Sequence, residues 1–138
     1  MVEASNEFER LYLEFFATLS SGDLERIRAT FHDDAIWQVQ VKGILGEGTH
    51  RGKKAIVDEI LAPVRGMFKP GEPKVTVMTM ASKGPLVIGE CVSRGSFVDD
   101  RPYENLYVFV LEFEAGKVRV LREYMDSFYV AKLQGLAS

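Results

Sequence analysis

The chain has 138 residues, 46% hydrophobic and 27% charged, with a net charge of −3 at neutral pH. That apolar content is enough for one domain with a real core, and the acidic balance argues against nucleic acid as main partner, because phosphate binding needs a basic surface. A single cysteine, Cys91, excludes an internal disulfide and points to a reducing, cytoplasmic setting; the start lacks a basic-then-apolar leader, and no apolar run reaches the roughly 20 residues that span a bilayer.

In chain order, Phe8, Leu11, Tyr12, Phe15, Phe16 and Leu19 recur at helical spacing and predict an amphipathic helix, with Ser5 or Asn6 as N-cap. "SSGD" stops it, and Asp23 is placed to cap a second short helix carrying Leu24, Ile27 and Phe31. "HDDAIWQVQV" reads as a strand with Trp37, Val39 and Val41 on one face, and the glycine-rich "KGILGEGTHRG" reads as a loop. "KKAIVDEILAPVRGMF" predicts a third helix that Pro63 should kink or break. Strands are predicted at about 74–81, 86–97 and 105–113, joined by "SKGP" and "DDRP" turns. A hairpin at "EAG" leads into a last strand from Val118, and a short helix at about 128–136 closes the chain.

Helices beside an antiparallel meander indicate an α+β domain. Its strongly curved sheet should carry the three helices of the N-terminal half over its concave side, leaving a cavity suited to a small molecule.

The last strand poses the functional question. Alternation puts Arg119, Leu121, Glu123 and Met125 on one face, so a carboxylate sits between two apolar residues that should face the core. The same reasoning turns Cys91 and Ser93, Asn105, Tyr107 and Phe109, and Trp37 and Val39 inward, with Glu59 at the edge of the apolar stripe of the third helix. These residues would form a pocket of aromatic and small side chains around one acid, Glu123, and a second acid, Glu59. Desolvation disfavours a carboxylate's charged form and raises its proton affinity, which suits general acid–base catalysis near neutral pH. The alternative is that Glu123 pairs with an arginine at the cavity mouth and only shapes the fold; Glu59 is equally readable as a solvated helix edge.

Other residues carry weaker signals. His32 and His50 lack metal-ligand spacing, so no metal site is expected. Cys91 has no activating histidine beside it in sequence and reads as a small buried side chain. Tyr103 and Tyr107 are able to donate hydrogen bonds to a ligand oxygen, although aromatic strand residues usually serve packing. Val108 and Val110 make the opposite face of their strand apolar too, as do Val120 and Tyr124 on the last strand, which predicts a homodimer through the outer face of the sheet.

Three segments, "FFATLSSGDLERIRATFHDDAIW", "HRGKKAI" and "YENLYVFVLEFEAGKVRVLREYMDSF", resemble the SnoaL-like branch of the NTF2-like (cystatin-like) superfamily. The resemblance covers nearly the whole chain, so residues 1–138 are expected to be one such domain. It implies a conical α+β barrel and usually a homodimer.

The superfamily's enzymes differ in their pocket residues. Where limonene-epoxide hydrolase carries its Asp–Arg–Asp triad, this chain has Cys91, Ser93 and Glu123. Trp37 and Val39 stand where that enzyme's tyrosine and asparagine hold water. Phe15 and Val39 fall at the tyrosine and aspartate of ketosteroid isomerase. Neither site is matched. In the phenazine-biosynthesis A/B proteins the acid of an "RE-aromatic-M" element is the proposed proton donor, and Glu123 in "REYM" matches it; their helix histidine falls near Glu59. The resemblance therefore implies a small apolar or cyclic ligand, no metal or organic cofactor, and either a cofactor-independent isomerase, cyclase or dehydratase using Glu123, or a non-catalytic carrier or sensor. A pure association module would leave the acid unexplained.

Overall fold

The computed structural model describes residues 2–136. Helix α1 (Glu7–Ser21) starts at Asn6, whose side chain accepts a hydrogen bond from the Glu9 amide at 3.0 Å, while the Glu9 carboxylate accepts the Ser5 amide at 3.1 Å. This reciprocal capping satisfies amides that the first turn leaves unpaired. Gly22 ends the helix at φ +73°, in the left-handed region that glycine adopts without steric cost. Asp23 caps α2 (Leu24–Thr30), which runs straight into β1 (Phe31–Val39).

The glycine-rich segment read as loop contains a further short strand, β2 (Gly48–Arg51), paired antiparallel with β1. Its four residues are mostly exposed, so they carry no alternating hydrophobic signal. A π-helical segment, Lys54–Leu61, continues into α3 (Ala62–Gly66), with Pro63 in the first turn of α3. Proline lacks the amide that helix geometry would pair, and the helix changes its winding there rather than ending. β3 (Lys74–Lys83), β4 (Leu86–Ser96), β5 (Pro102–Glu114) and β6 (Lys117–Met125) form the meander, followed by α4 (Ser127–Leu133).

The strands make one curved, unclosed six-stranded sheet in the order β2-β1-β6-β5-β4-β3. The fold is α+β as predicted, with two corrections: the sheet does not close into a barrel, and it is not wholly antiparallel. β1 and β6 run parallel, which brings Val39 beside Glu123, and an irregularity between Phe31 and Ile36 resets their register.

Helix α1 packs along β3 and β4. Its approach to β4 is close: a Cβ at Gly89 would lie 2.7 Å from both the Thr79 carbonyl oxygen and the Tyr12 hydroxyl. The Tyr12 hydroxyl donates to the Phe109 carbonyl at 2.8 Å, and the Phe16 ring meets the Phe109 ring at 4.8 Å between centroids. The core therefore fills one end of the concave face. Along each inward row it gives way to the cavity: Phe31 and Ala35 then Trp37 and Val39 on β1, Val87 and Cys91 then Ser93 and Phe97 on β4, Phe113 and Leu111 then Phe109 and Tyr107 on β5, Val118 and Leu121 then Glu123 and Met125 on β6.

Candidate functional site

The cavity has a volume of about 670 Å³, within the range of small-molecule sites. Leu19, Ile60, Leu61 and Val64 roof it, and Val130, Leu133 and Gln134 of the C-terminal segment line another side. The segment between β1 and β2 contributes Ile44, which is buried, and Leu45, whose amide donates to Gln134 Oε1 at 3.1 Å. The charged residues lining the cavity are Arg65, Asp99, Arg101 and Glu123. Asp99 and Arg101 neutralise each other, about half exposed, at 2.8 Å.

Glu123 is the acid on the sheet wall. It projects inward from β6 between Phe109 of β5 and Val39 of β1. Trp37 sits one inward position back on β1 and donates its indole N–H to Glu123 Oε1 at 3.0 Å. Among the described residues no group bonds Oε2 and no arginine pairs with the carboxylate. Arg122, on the opposite face, pairs with Glu112, and Arg94 pairs with Glu104. Burial pushes the Glu123 carboxyl up to about 7; the Trp37 hydrogen bond opposes this and is the smaller effect.

The structure brings Trp37, Val39, Ser93, Tyr107, Phe109 and Met125 together with Glu123 around the cavity. The remaining expectations need correction. Glu59 is exposed and outside the cavity, because the helix turns Ile60, Leu61 and Val64 to it instead. Cys91 and Leu121 are on the inward face but fully buried in the core, one step short of the cavity, where the α1 aromatics already fill the space. The Cys91 thiol lies 3.8 Å from the Tyr12 hydroxyl, and burial pushes it up to about 11, so it is a poor nucleophile near neutral pH. Asn105 is buried behind the wall: its Oδ1 accepts the Leu106 amide at 2.9 Å and its Nδ2 donates to the Tyr103 hydroxyl at 3.3 Å.

Sequence reasoning missed most of the far wall. Phe97 lies on the inward row of β4 and Val75 on β3, positions that alternation could have found. Arg65, just after Val64, was not legible in this way. Its Nη1 donates to the Pro73 carbonyl at 3.5 Å, and its Nη2 is buried without a partner among the described residues.

The model of the SnoaL-like domain matches residues 12–121, and the chain belongs to that family. No curated protein matches it. Among solved structures it is similar to TerC co-crystallized with polyporic acid, at 20% identity and a TM-score of 0.78, covering 91% of this chain and 96% of that one. It is similar to a putative isomerase from Bacillus subtilis at 22% identity and a TM-score of 0.77, covering 96% and 97%. An NTF2-like protein from Burkholderia thailandensis gives 18% identity and a TM-score of 0.78, covering 94% and 98%. At such identities the likeness establishes the NTF2-like fold alone, and a fold does not by itself define a function. Among the described residues no helix is long and apolar enough to cross a membrane, and no group of three or more His, Cys, Asp or Glu is arranged to hold a metal ion.

Proposed function

We propose that the cavity binds a small, largely apolar ring compound and that Glu123 acts on it as a general acid–base, in a cofactor-independent isomerisation, cyclisation or dehydration. One observation carries this reading. Glu123 is held in an apolar cavity by Trp37, has its second oxygen unbonded by any described group, and has its proton affinity raised to about 7. A carboxyl in that state both gives and takes a proton near neutral pH. The phenazine-type match at Glu123 and the polyporic acid bound by TerC support a cyclic ligand.

The test is proton exchange at the carbon next to the carbonyl of enolisable ring ketones in D₂O, followed by NMR. The wild type should exceed the uncatalysed rate and Glu123→Gln should lose at least 100-fold of the excess. Full exchange by Glu123→Gln would end the catalytic assignment. The predominantly apolar lining also favours a second reading, a carrier, in which ligands bind and Glu123→Gln changes no rate.

The outer face of the sheet is the proposed homodimer surface. Ile88, Leu106 and Tyr124, on the outward rows of three adjacent strands, are 41%, 59% and 41% exposed. Apolar side chains on adjacent strands form a patch that a second copy would cover.

A further inference from the structure

Two cations line the cavity. Arg101 is paired with Asp99, whereas Arg65 makes no ion pair among the described residues. Arg65 also borders a smaller hollow of about 270 Å³, and the charges there are committed elsewhere. Lys69 is paired with Asp100, and Glu72 Oε2 accepts the Ser96 amide at 2.9 Å.

The local winding sets this position. The helix passes from π-helical to α-helical at Ala62, and the turn that presents Leu61 and Val64 to the cavity presents Arg65 as well. Nη1 reaches the carbonyl of Pro73, itself on the cavity wall, at 3.5 Å, the outer limit of a hydrogen bond. Nη2 is closed off from water and has no partner among the described residues. A Cβ at Gly22 would lie 3.1 Å from Nη2, so the guanidinium rests against the end of α1. A buried charged donor whose bonds are unmade is unfavourable, and a matching anion relieves it. Burial alone acts on the Arg65 pKa and pulls it down, while Arg28, paired with Asp58, is held above its ordinary value.

The charges of the cavity can then be summed. Asp99 and Arg101 offset each other, and Glu123 is uncharged below about 7. What is left is one positive charge, at Arg65, in a largely apolar lining.

We propose that Arg65 anchors a carboxylate of the ligand, making ring carboxylic acids with an apolar body the ligand class of the cavity. This rests on the reading of the cavity as a small-molecule site and not on catalysis by Glu123. Charge-assisted bonds to the carboxylate replace the long Pro73 contact, and the planar guanidinium fork matches two carboxylate oxygens. The end of the side chain turns about its own torsions to present that fork, taking Nη2 away from Gly22. The anchor stands on α3 and Glu123 on β6, so the ligand is held at its acidic end with its ring toward the sheet wall.

The probes are 1-adamantanecarboxylic acid and 1-adamantanecarboxamide, which share one apolar body and differ in charge. Each is titrated against the fluorescence of the only tryptophan, Trp37, at about pH 6.5, where the acid is ionised and Glu123 is mostly protonated. The readout is the affinity for the acid divided by that for the amide, compared between variants, which cancels the contribution of the body. Arg65→Met should lower the ratio at least about tenfold, the worth of a charged hydrogen bond, and Arg65→Lys should restore part of it, because an ammonium supplies charge without the fork. Should Arg65→Met fail to fold by circular dichroism, Arg65→Gln is read in its place. A folded Arg65→Met or Arg65→Gln protein that keeps the wild-type ratio overturns the proposal and leaves Arg65 as a support for the end of α1. A wild type that binds the amide as tightly as the acid overturns it too, with the small-molecule reading of the cavity intact. A wild type that binds neither probe at about 10 mM overturns that reading together with the anchor.

Discussion

The indole N–H of Trp37 donates to Glu123 Oε1 at 3.0 Å, from one inward position back on the adjacent parallel strand. The bond holds the carboxyl on the cavity wall and leaves Oε2 without a partner among the described residues. It is a hydrogen bond from a neutral donor, so it orients the acid without the strong pKa depression that an arginine would impose.

Trp37→Phe should therefore raise the proton affinity of Glu123 further, since it removes the group that favours the ionised form while leaving burial in place. ¹³C NMR of labelled glutamate carboxyls across pH 5–9 measures it. A Glu123 midpoint that falls in Trp37→Phe would contradict the assigned balance of burial and hydrogen bonding.

Stability should decline between about pH 4.5 and 7 through Glu123. The unfolded side chain titrates near 4.5 and the folded one near 7, so in that window the native state holds a proton that the unfolded state has released. The contribution is fully present below 4.5 and is lost as the pH rises through 7, on the order of 3 kcal/mol in all. Glu123→Gln removes the dependence. Urea unfolding at pH 5 and pH 8 should show the variant gaining on the wild type at the higher pH.

Gly89→Ala should destabilise the fold by about 1–3 kcal/mol, as overpacking does. The added methyl would meet a backbone oxygen of β3 and the hydroxyl that α1 uses to bond Phe109. A thermal midpoint within 1 °C of wild type, as an order-of-magnitude threshold, would show that α1 yields without cost.

Leu106→Glu should convert the proposed dimer to monomer, because it sets a charge into the apolar outer patch at its most exposed member, beside Glu104. Val110, on the same row, is only 8% exposed and already covered, so it is the poorer site for this test. Sedimentation at micromolar concentration decides it; a wild type that sediments as a monomer there removes the dimer.

What the sequence determined by itself were the quantities set by local geometry. The α1 stripe, the caps at Asn6 and Asp23, and the inward side of most strand positions follow from helical and two-residue periodicity, and they sufficed to turn Glu123 inward; at the start of β6 an irregularity in its pairing with β5 turns Val118 to the core in place of Arg119. Short β2 escaped because its exposed residues carry no period, and the parallel β1–β6 pairing because partner direction is not a property of either strand. Tertiary structure alone decided where along each inward row the core stops and the cavity begins. Cys91 and Ser93 share a face, yet the rings of α1 fill the space above one and not the other. It also decided the chemistry. Trp37 and Glu123 become partners only when β1 and β6 are brought into register. The proton affinity of Glu123 depends on how much water the surrounding segments exclude, and no short stretch of sequence contains that information.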